Sequence, residues 1–390
     1  MNAPFQEARA RTEQSSLPGY DRLQSYEWNY AHAPEPVAVD VPSVPGEWRF
    51  CGLSVDSPLG MPAGPLLNGK WVLYYASLGF DVLTYKTVRS RERPCYPLPN
   101  LQPVRCGQLT REVESVPVAD ALTGSWAVSF GMPSKAPDVW RADVETTRRL
   151  LPQGKVLSVS VVGSIEPDWG LDELADDYAR CARWAVESGA DCVETNFSCP
   201  NVPTCDGQLY QQPESAALIA ARVRDCVGKV PYLVKVGHVT DRAGAAALVS
   251  ALAPYTDALA MTNSVATTVT GPDGKLLFDG ERRGICGDAT REASIRQVRL
   301  FSEIAAEDRL GLQLIGVGGA STADHVRAYL GAGAEAVHLA TAAMLDPAVG
   351  LKIRLEMAKR PELRMPEAKR TVPRREDGTA PGPRVGLPVS

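Results

Sequence analysis

The chain has 390 residues, of which 44% are hydrophobic and 22% are charged, and its formal net charge is −5. This composition is ordinary for a folded protein with a large core, and the negative charge argues against a general affinity for nucleic acid. There is no run of about 18 apolar residues to predict a transmembrane helix, and the first residues lack the apolar segment of a secretion signal. The nine scattered cysteines are typical of reduced cytosolic thiols and match no common zinc pattern. We therefore predict a cytoplasmic protein without a membrane span, a nucleic-acid partner or a metal site.

The first 50 residues differ from the rest of the chain. They are polar and proline-rich, with an aromatic patch over residues 20–34. We predict that residues 1–50 form an arm that lies over the following domain. At the other end, residues 361–390 form a tail whose composition predicts disorder, most clearly from residue 373 onward.

From about residue 51, short apolar strands alternate with amphipathic helices, which predicts a parallel sheet. Seven such strands cover residues 80–87, 154–164, 191–197, 230–237, 256–264, 311–319 and 334–341. An eighth lies near residues 60–64. Eight strands predict an α/β fold of the (β/α)₈ TIM-barrel type over residues 51–360, with a doubly wound sheet as the alternative. The segment 124–132 predicts an extra strand in an insertion after the second barrel strand.

Two lysines end apolar strands of the predicted barrel. Lys86 and Lys235 fall at the carboxyl ends of their strands, which is the face where barrels carry their active sites. A buried charge needs a partner, and a flavin ring offers acceptors that a lysine can neutralise. Each lysine could instead reach the surface or form a structural ion pair.

Two turns late in the chain are built from small residues. "IGVGGAS", with Gly318 and Gly319, follows the seventh barrel strand, and "LATAAM" follows the eighth. Loops at these two places often bind phosphate through backbone N–H groups. The alternative is a tight strand–helix turn in which Ser321 and Thr322 cap the next helix.

Amides and a thiol cluster where the fourth strand ends. "ETNFSCPNVP" contains Asn196, Cys199 and Asn201, and Asn263 with Ser264 ends the sixth strand. Amide groups both donate and accept, which suits a planar ligand with an amide-like edge, although such residues also form turns and caps. Cys199 could be a buried filler, a nucleophile or a general base.

Five segments in this order, "GFDVLTYKTV", "ETNFSCPNVP", "MTNS", "IGVGG" and "LATA", together resemble the dihydroorotate dehydrogenases over about residues 50–357. The resemblance implies an FMN-containing barrel of pyrimidine biosynthesis that oxidises dihydroorotate, or a related dihydropyrimidine, to orotate. In that family a hydride passes from ring C6 to flavin N5 while a base takes the C5 proton. Cys199 occupies the position of the base, as in the soluble members of the family.

Motif position also implies the other site residues. The resemblance assigns substrate contacts to Lys86, Phe130, Gly131, Met132, Asn196, Asn201, Asn263 and Ser264. It assigns FMN contacts to Ala63, Gly64, Lys86, Thr87, Ser160, Asn196, Lys235, Gly287, Gly318, Gly319, Ala340 and Thr341, and the last four of these would hold the phosphate.

The sequence departs from the family at Val128 and Ser134, where the family has asparagines. The first of these asparagines helps to bind the substrate carboxylate, and a lost donor to a buried charge costs about 1.5–3 kcal/mol. Either another residue compensates, or the enzyme is a flavin oxidoreductase of the same fold that acts on a different C–C or C=C substrate in a specialised pathway. A barrel that has lost catalysis is a third hypothesis.

The partners are predicted only in outline. We expect a small-molecule substrate and an electron acceptor that the sequence does not identify: fumarate, a quinone, oxygen, another small oxidant or a partner flavoprotein. The arm over residues 1–50 has no convincing apolar stripe of the kind that membrane-associated members carry. A homodimer is compatible with the sequence.

Overall fold

The computed structural model describes residues 17–110, 113–122, 124–198 and 205–359. The strands are β1 Trp48–Phe50, β2 Leu53–Val55, β3 Leu59–Met61, β4 Val82–Val88, β5 Leu101–Pro103, β6 Ser115–Pro117, β7 Ser125–Val128, β8 Val156–Val161, β9 Cys192–Asn196, β10 Tyr232–Lys235, β11 Ala258–Met261, β12 Val265–Thr270, β13 Arg283–Gly287, β14 Gln313–Val317 and β15 Ala336–His338. The α-helices are α1 Tyr26–Ala31, α2 Gly69–Ser77, α3 Pro137–Leu150, α4 Leu171–Glu187, α5 Pro213–Val227, α6 Arg242–Leu252, α7 Arg291–Glu307, α8 Ala323–Ala332, α9 Thr341–Leu345 and α10 Val349–Lys359.

Eight parallel strands close into a barrel in the order β3, β4, β8, β9, β10, β11, β14 and β15. These are the eight strands that the alternating pattern predicts, so the (β/α)₈ barrel is confirmed and the doubly wound alternative is wrong. The strands are apolar on both faces because one face packs in the barrel and the other against the surrounding helices. Side-chain caps fix the starts of several helices; for example, Asn68 accepts from Trp71 N at the start of α2, and Asp241 accepts from Gly244 N at the start of α6.

The amino-terminal end of the barrel is closed by a hairpin. Strands β1 and β2 pair in antiparallel register around a two-residue turn at Cys51 and Gly52. Phe50 and Val55 of this hairpin pack against the apolar side chains that line the lower interior, among them Val82 and Cys192. The hairpin therefore closes this end of the barrel over the described residues.

Two insertions combine into a sheet above the open end of the barrel. Strands β5, β6 and β7 come from the predicted insertion after β4, and β12 and β13 come from a second insertion after β11. They form a five-stranded sheet in the order β5, β7, β13, β12 and β6. The first insertion and its strand β7 are confirmed, whereas the second insertion is not among the predicted features.

The described part of the N-terminal arm packs on α2 and on the open end of the barrel. Trp71 Nε1 donates to the Asn29 carbonyl oxygen at 3.0 Å, and Asn68 Nδ2 donates to the Tyr30 carbonyl oxygen at 2.8 Å. Residues 1–16 of the arm and the predicted tail, 361–390, lie outside the described residues. Over the described ranges, no helix is both long and apolar enough to cross a bilayer.

Candidate active site

A cavity of about 300 Å³ lies between the carboxyl ends of the barrel strands and the five-stranded sheet. Its size is at the lower end of the range for small-molecule sites. Ten of the residues that the sequence predicts for the site line this cavity: Ala63, Gly64, Phe130, Lys235, Asn263, Gly287, Gly318, Gly319, Ala340 and Thr341. The fold therefore brings together residues from five barrel strand ends and from both insertions.

One end of the cavity is built from closely packed backbone. A Cβ on Gly319 would lie 2.7 Å from the carbonyl oxygen of Gly287, and a Cβ on Gly287 would lie 2.1 Å from that of Gly124. Both glycines have positive φ, 65° and 96°, so a side chain would be strained there as well. Only glycine lets the loop after β14 and the end of β13 meet, and this leaves main-chain atoms in the cavity wall. Such a wall suits an anionic group that binds backbone N–H groups.

The part of the cavity wall at Gly64 faces open space. A Cβ on Gly64 would have no protein atom within 4 Å, although Gly64 itself lines the cavity. A side chain at this position would therefore extend into the space that a ligand would fill.

A buried cation lies in the cavity wall beside a buried carboxyl group. Lys235 is only 4% exposed, and its Nζ donates to the Ala63 carbonyl oxygen over a long 3.4 Å. Glu194 on the neighbouring strand is 1% exposed, and burial raises the pKa of its carboxyl while Lys235 opposes that rise. Burial and the Lys235 charge also lower the pKa of His338 to about 3, so this imidazole is neutral. Lys235 is thus held in the interior with room for a further acceptor.

The second lysine lies among aromatic rings. Lys86 is 6% exposed, and its Nζ is 5.5 Å from the centroid of the Tyr26 ring and 5.6 Å from that of Phe130. These distances are within the range of cation–π interactions. Because Phe130 lines the cavity, Lys86 places a positive charge close to its wall, partly enclosed by the N-terminal arm.

Hydrogen bonds join the predicted amide residues. Asn196 Oδ1 accepts from Ser198 N at 3.1 Å, and Asn196 Nδ2 lies 3.7 Å from Met132 Sδ. Asn263 Nδ2 donates to the carbonyl oxygen of Ser198. The network orients amides from β9 and from the end of β11 toward the same region. Cys199 and Asn201 follow directly in sequence, and both lie outside the described residues.

The remaining predicted residues lie beside or below the cavity rather than in its wall. Thr87 and Ser160 are buried and share a hydrogen bond of 3.0 Å between their hydroxyl groups. Gly131 packs against the Tyr96 ring, and Ser264 is buried next to Asn263. For the turn after β14 the capping alternative holds in part, because Thr322 caps α8 through a hydrogen bond from His325 N.

Several wall residues are not among the predicted site residues. Tyr20 enters from the arm, Trp126 and Val128 from β7, Cys286 from β13, and Leu345 from α9. A signal existed for the second insertion, because "VATTVT" is rich in β-branched residues, which favour strands, and β12 is buried at every second residue. Tyr20 belongs to the aromatic patch of the arm, but local pattern does not indicate which surface such a patch will cover.

Comparisons of the sequence with known proteins indicate a single family. The family model described as dihydroorotate dehydrogenase matches residues 47–360. Dihydroorotate dehydrogenase of Dictyostelium discoideum is 30% identical over 328 residues, which cover 78% of this chain and 86% of the relative. The catalytic subunit of dihydroorotate dehydrogenase B (NAD(+)) from Desulforudis audaxviator (strain MP104C) is 27% identical over 313 residues, covering 79% and 90%.

A solved structure supports the fold. The crystal structure of the dihydroorotate dehydrogenase of Eimeria tenella in complex with ferulenol superimposes with a TM-score of 0.66 at 18% identity. The match covers 85% of this chain and 88% of the other. At this identity the superposition is evidence for the shared barrel architecture alone.

Proposed function

Because the chain belongs to the dihydroorotate dehydrogenase family, we propose that it oxidises dihydroorotate to orotate in the cavity at the open end of the barrel, with FMN as the flavin and Cys199 as the base. The protein is an oxidoreductase that acts on CH–CH bonds. The observation that carries the proposal is a single cavity that combines the buried Lys235 ammonium with a wall of closely packed glycine backbone. The family match favours this function over a different C–C or C=C substrate and over a non-catalytic barrel.

The cavity wall fits a flavin mononucleotide. Gly318, Gly319, Ala340 and Thr341 would hold the phosphate, where backbone approaches the cavity. The space beside Gly64 leaves room for a ring, and together with Ala63, Thr87, Ser160, Asn196 and Gly287 it forms the predicted flavin site. When bound, FMN supplies the acceptor for the two electrons that leave the substrate.

Lys235 would act on the ring through its charge. Its ammonium lies in the wall with one long hydrogen bond, so it can donate to an acceptor on the ring without breaking an ion pair within the described residues. Hydrogen bonds from a charged donor contribute about 1.5–3 kcal/mol. Lys235 therefore favours a ligand whose nearby edge carries, or gains, negative charge.

The substrate would lie toward Lys86 and the amide network. The Lys86 charge near Phe130 suits the substrate carboxylate, and Gly131 and Met132 continue that segment. Asn196 and Asn263 are oriented by their bonds to Ser198 and would bind the ring amides, with Asn201 and Ser264 beside them. Cys199 would take the C5 proton as a thiolate, so that proton removal and loss of the C6 hydrogen occur on a fixed ring.

One of the relatives suggests a class of electron acceptor. The relative from Desulforudis audaxviator is the catalytic subunit of an enzyme named for NAD(+). We therefore include a partner subunit among the acceptors, with fumarate, quinone, oxygen or another small oxidant as the others. A cytoplasmic location, a role in pyrimidine biosynthesis and a homodimer stay predictions.

Anaerobic mixing with dihydroorotate tests the function directly. The purified protein should be yellow, and dihydroorotate should bleach the flavin absorbance. Cys199→Ala should slow this bleaching by about 10²–10⁴-fold while FMN stays bound, because only the proton-accepting group is lost. Cys226→Ala is the matched control, since this half-buried thiol on α5 bonds to Ala179 O between two helices.

Three outcomes would contradict parts of the proposal. Wild-type bleaching rates in Cys199→Ala would remove the base assignment and leave the oxidoreductase function. A colourless protein that cannot take up FMN, or a yellow one that dihydroorotate does not bleach, would overturn the proposed reaction. If the protein is yellow but dihydroorotate does not bleach it, a panel of other dihydropyrimidines would identify the substrate by the same bleaching.

A further inference from the structure

A buried carboxyl group lies one layer below the cavity, and the reaction described above does not use it. Glu194 on β9 pairs in register with Leu233 on β10, and Lys235 lies two residues further along β10, toward the open end. Glu194 is 1% exposed, and its Oε1 has no hydrogen-bond partner within the described residues. A buried carboxylate with an unbonded oxygen is costly, so its charge must be stabilised by a nearby cation or removed by a proton.

A chain of hydroxyl groups leads from this carboxyl toward the open end. The Ser160 hydroxyl, on the neighbouring strand β8, lies beside Glu194, because the two residues pair in register. Its oxygen lies 3.0 Å from Thr87 Oγ1 on β4. Thr87 follows Lys86 near the end of β4, so the two hydroxyls connect the interior with the strand ends where the cavity opens. Hydroxyl groups both donate and accept, and such a chain can pass a proton.

The groups that surround Glu194 leave one cation to stabilise it. On β8 it faces the neutral Ser158 and Ser160, and on β4 the neutral Thr84 belongs to the same buried layer, with Lys86 one layer higher. His338 on β15 is neutral, because burial and the Lys235 charge lower its pKa to about 3. Burial raises the pKa of Glu194, and of the charged groups in the described residues Lys235 is the one that opposes this rise.

Lys235 is therefore shared between two places. Its charge stabilises the Glu194 carboxylate below, and its ammonium also lies in the wall of the cavity above. Negative charge that enters the cavity beside Lys235 weakens the first of these interactions. The proton affinity of Glu194 then increases, since the charge that opposes the effect of burial is partly offset.

We propose that Glu194 takes up a proton from solvent, through Thr87 and Ser160, when two electrons enter the ring held beside Lys235. The inference rests on the proposed function, which places FMN in this cavity. The electrons come from the substrate, the substrate's C5 proton goes to Cys199, and the proton on Glu194 is an additional one that converts its carboxylate to a carboxylic acid. Glu194 is then a positioning residue that offsets the Lys235 charge while the flavin is oxidised and releases Lys235 when the flavin is reduced.

The pH dependence of the flavin reduction potential tests this inference. The FMN-loaded protein is titrated with dithionite and mediator dyes, without dihydroorotate, and the slope of potential against pH gives the protons bound per flavin reduced. On flavin reduction, Glu194→Gln should bind about one proton fewer than the wild type. The difference should appear at pH values between the pKa of Glu194 with oxidised flavin and its pKa with reduced flavin. Glu335→Gln is the matched control: burial raises the pKa of this carboxyl to about 7, but it lies at the closed end, bonded to Cys51 N.

A second measurement uses the wild type alone, in case Glu194→Gln does not fold. The reduced-minus-oxidised infrared spectrum should show the C=O stretch of a newly protonated carboxyl group, and Glu335→Gln should keep that band. Ser160→Ala should bind the same number of protons but bind them more slowly, because it breaks the hydroxyl chain.

The outcomes separate this inference from the proposed function. Equal proton counts in wild type and Glu194→Gln, or no carboxyl band in the wild type, would overturn the role of Glu194 and leave dihydroorotate oxidation untouched. A yellow protein that dihydroorotate does not reduce would fail the proposed reaction, while the dithionite titration would still decide the proton count. A protein that binds no FMN would overturn both.

Discussion

Buried charged side chains occur at both ends of the barrel, in different surroundings. At the closed end, Asp81 is fully buried and lies 2.7 Å from Lys155 Nζ and 2.7 Å from Arg354 Nη1. Ser57 bonds to it as well. At the open end, Lys235 is nearly as deeply buried but has one hydrogen bond of 3.4 Å and, within the described residues, no ion pair.

The difference separates a structural role from a binding role. A buried charge must be matched by partners, because desolvation costs several kcal/mol per ion. Asp81 has its partners within the chain, and through Arg354 it ties α10 to the start of β4. Lys235 lacks a direct partner of this kind and interacts with Glu194 only through its charge, so a ligand in the cavity would offset much of the remaining energetic cost.

The largest expected effect on stability comes from removing the Asp81 charge at the closed end. Asp81→Asn should lower the free energy of unfolding by about 3–5 kcal/mol, because the buried Arg354 and the partly buried Lys155 then lack their counter-charge. Urea unfolding of the FMN-free protein measures this. The control is Glu35→Gln, which removes a well-exposed partner of Lys70 and should cost less than about 1 kcal/mol. A loss in Asp81→Asn as small as that of the control would contradict the structural role.

The unmatched site should respond in the opposite way. Lys235→Met removes a buried charge that has no direct counter-ion, and Glu194 can then become neutral by protonation, so the FMN-free protein should be about as stable as the wild type. Its affinity for FMN should fall by about tenfold to a hundredfold, the equivalent of one charged hydrogen bond. Quenching of FMN fluorescence on binding gives the affinity, and urea unfolding gives the stability. If Lys235→Met unfolded as readily as Asp81→Asn, the distinction between the two ends would be wrong.

His338 extends the comparison to pH. The pKa of this buried imidazole is about 3, below its ordinary value of 6.5. Between these two pH values the imidazole is protonated in the unfolded chain and neutral in the folded chain. Its contribution to stability is present above about pH 6.5 and is lost as the pH falls toward 3, by about 1.4 kcal/mol per unit. At pH 5 the loss is about 2 kcal/mol.

Replacing His338 should remove that loss. In His338→Gln, unfolding measured between pH 7 and 5 should show a flatter decline than in the wild type. His32→Gln, at an exposed position in the arm, should keep the wild-type slope. Parallel declines in all three proteins would show that His338 does not titrate as its burial requires.

The sequence was sufficient for the barrel because its information is local. Each barrel strand is a short apolar run that ends in a polar or small residue, and each is followed by a helix, so period and order alone predict the closed sheet. The sheet above the barrel is different, because Ile285 of β13 pairs with Ala127 of β7 across more than a hundred residues. The sequence pattern of neither segment predicts which strand it pairs with. The pairing depends on how the two insertions pack at the open end of the barrel.

The candidate active site also combines residues that the local sequence predicts with residues that depend on the tertiary fold. Residues at strand ends, such as Lys235 and Gly319, were predictable because strand position determines that they meet at one face. Tyr20 was not, because its place in the wall depends on how the arm crosses the barrel. Glu194 was not predictable for another reason. It lies inside a strand, where the sequence suggests an ordinary core position, and only its neighbours in the fold show that it shares a cation with the cavity.

The smallest expected effect concerns Val128, where the family has a carboxylate-binding asparagine. Val128 lines the cavity on β7, beside Leu101 and Gly284 in the sheet. Val128→Asn adds an amide donor to this wall, and a hydrogen bond to the substrate carboxylate should lower KM for dihydroorotate by about tenfold, with kcat little changed. Val128→Leu keeps the wall apolar and should give no such gain. If Val128→Asn gave no gain either, Lys86 and the Phe130 segment would already satisfy the carboxylate, and the missing asparagine would be compensated within the open end itself.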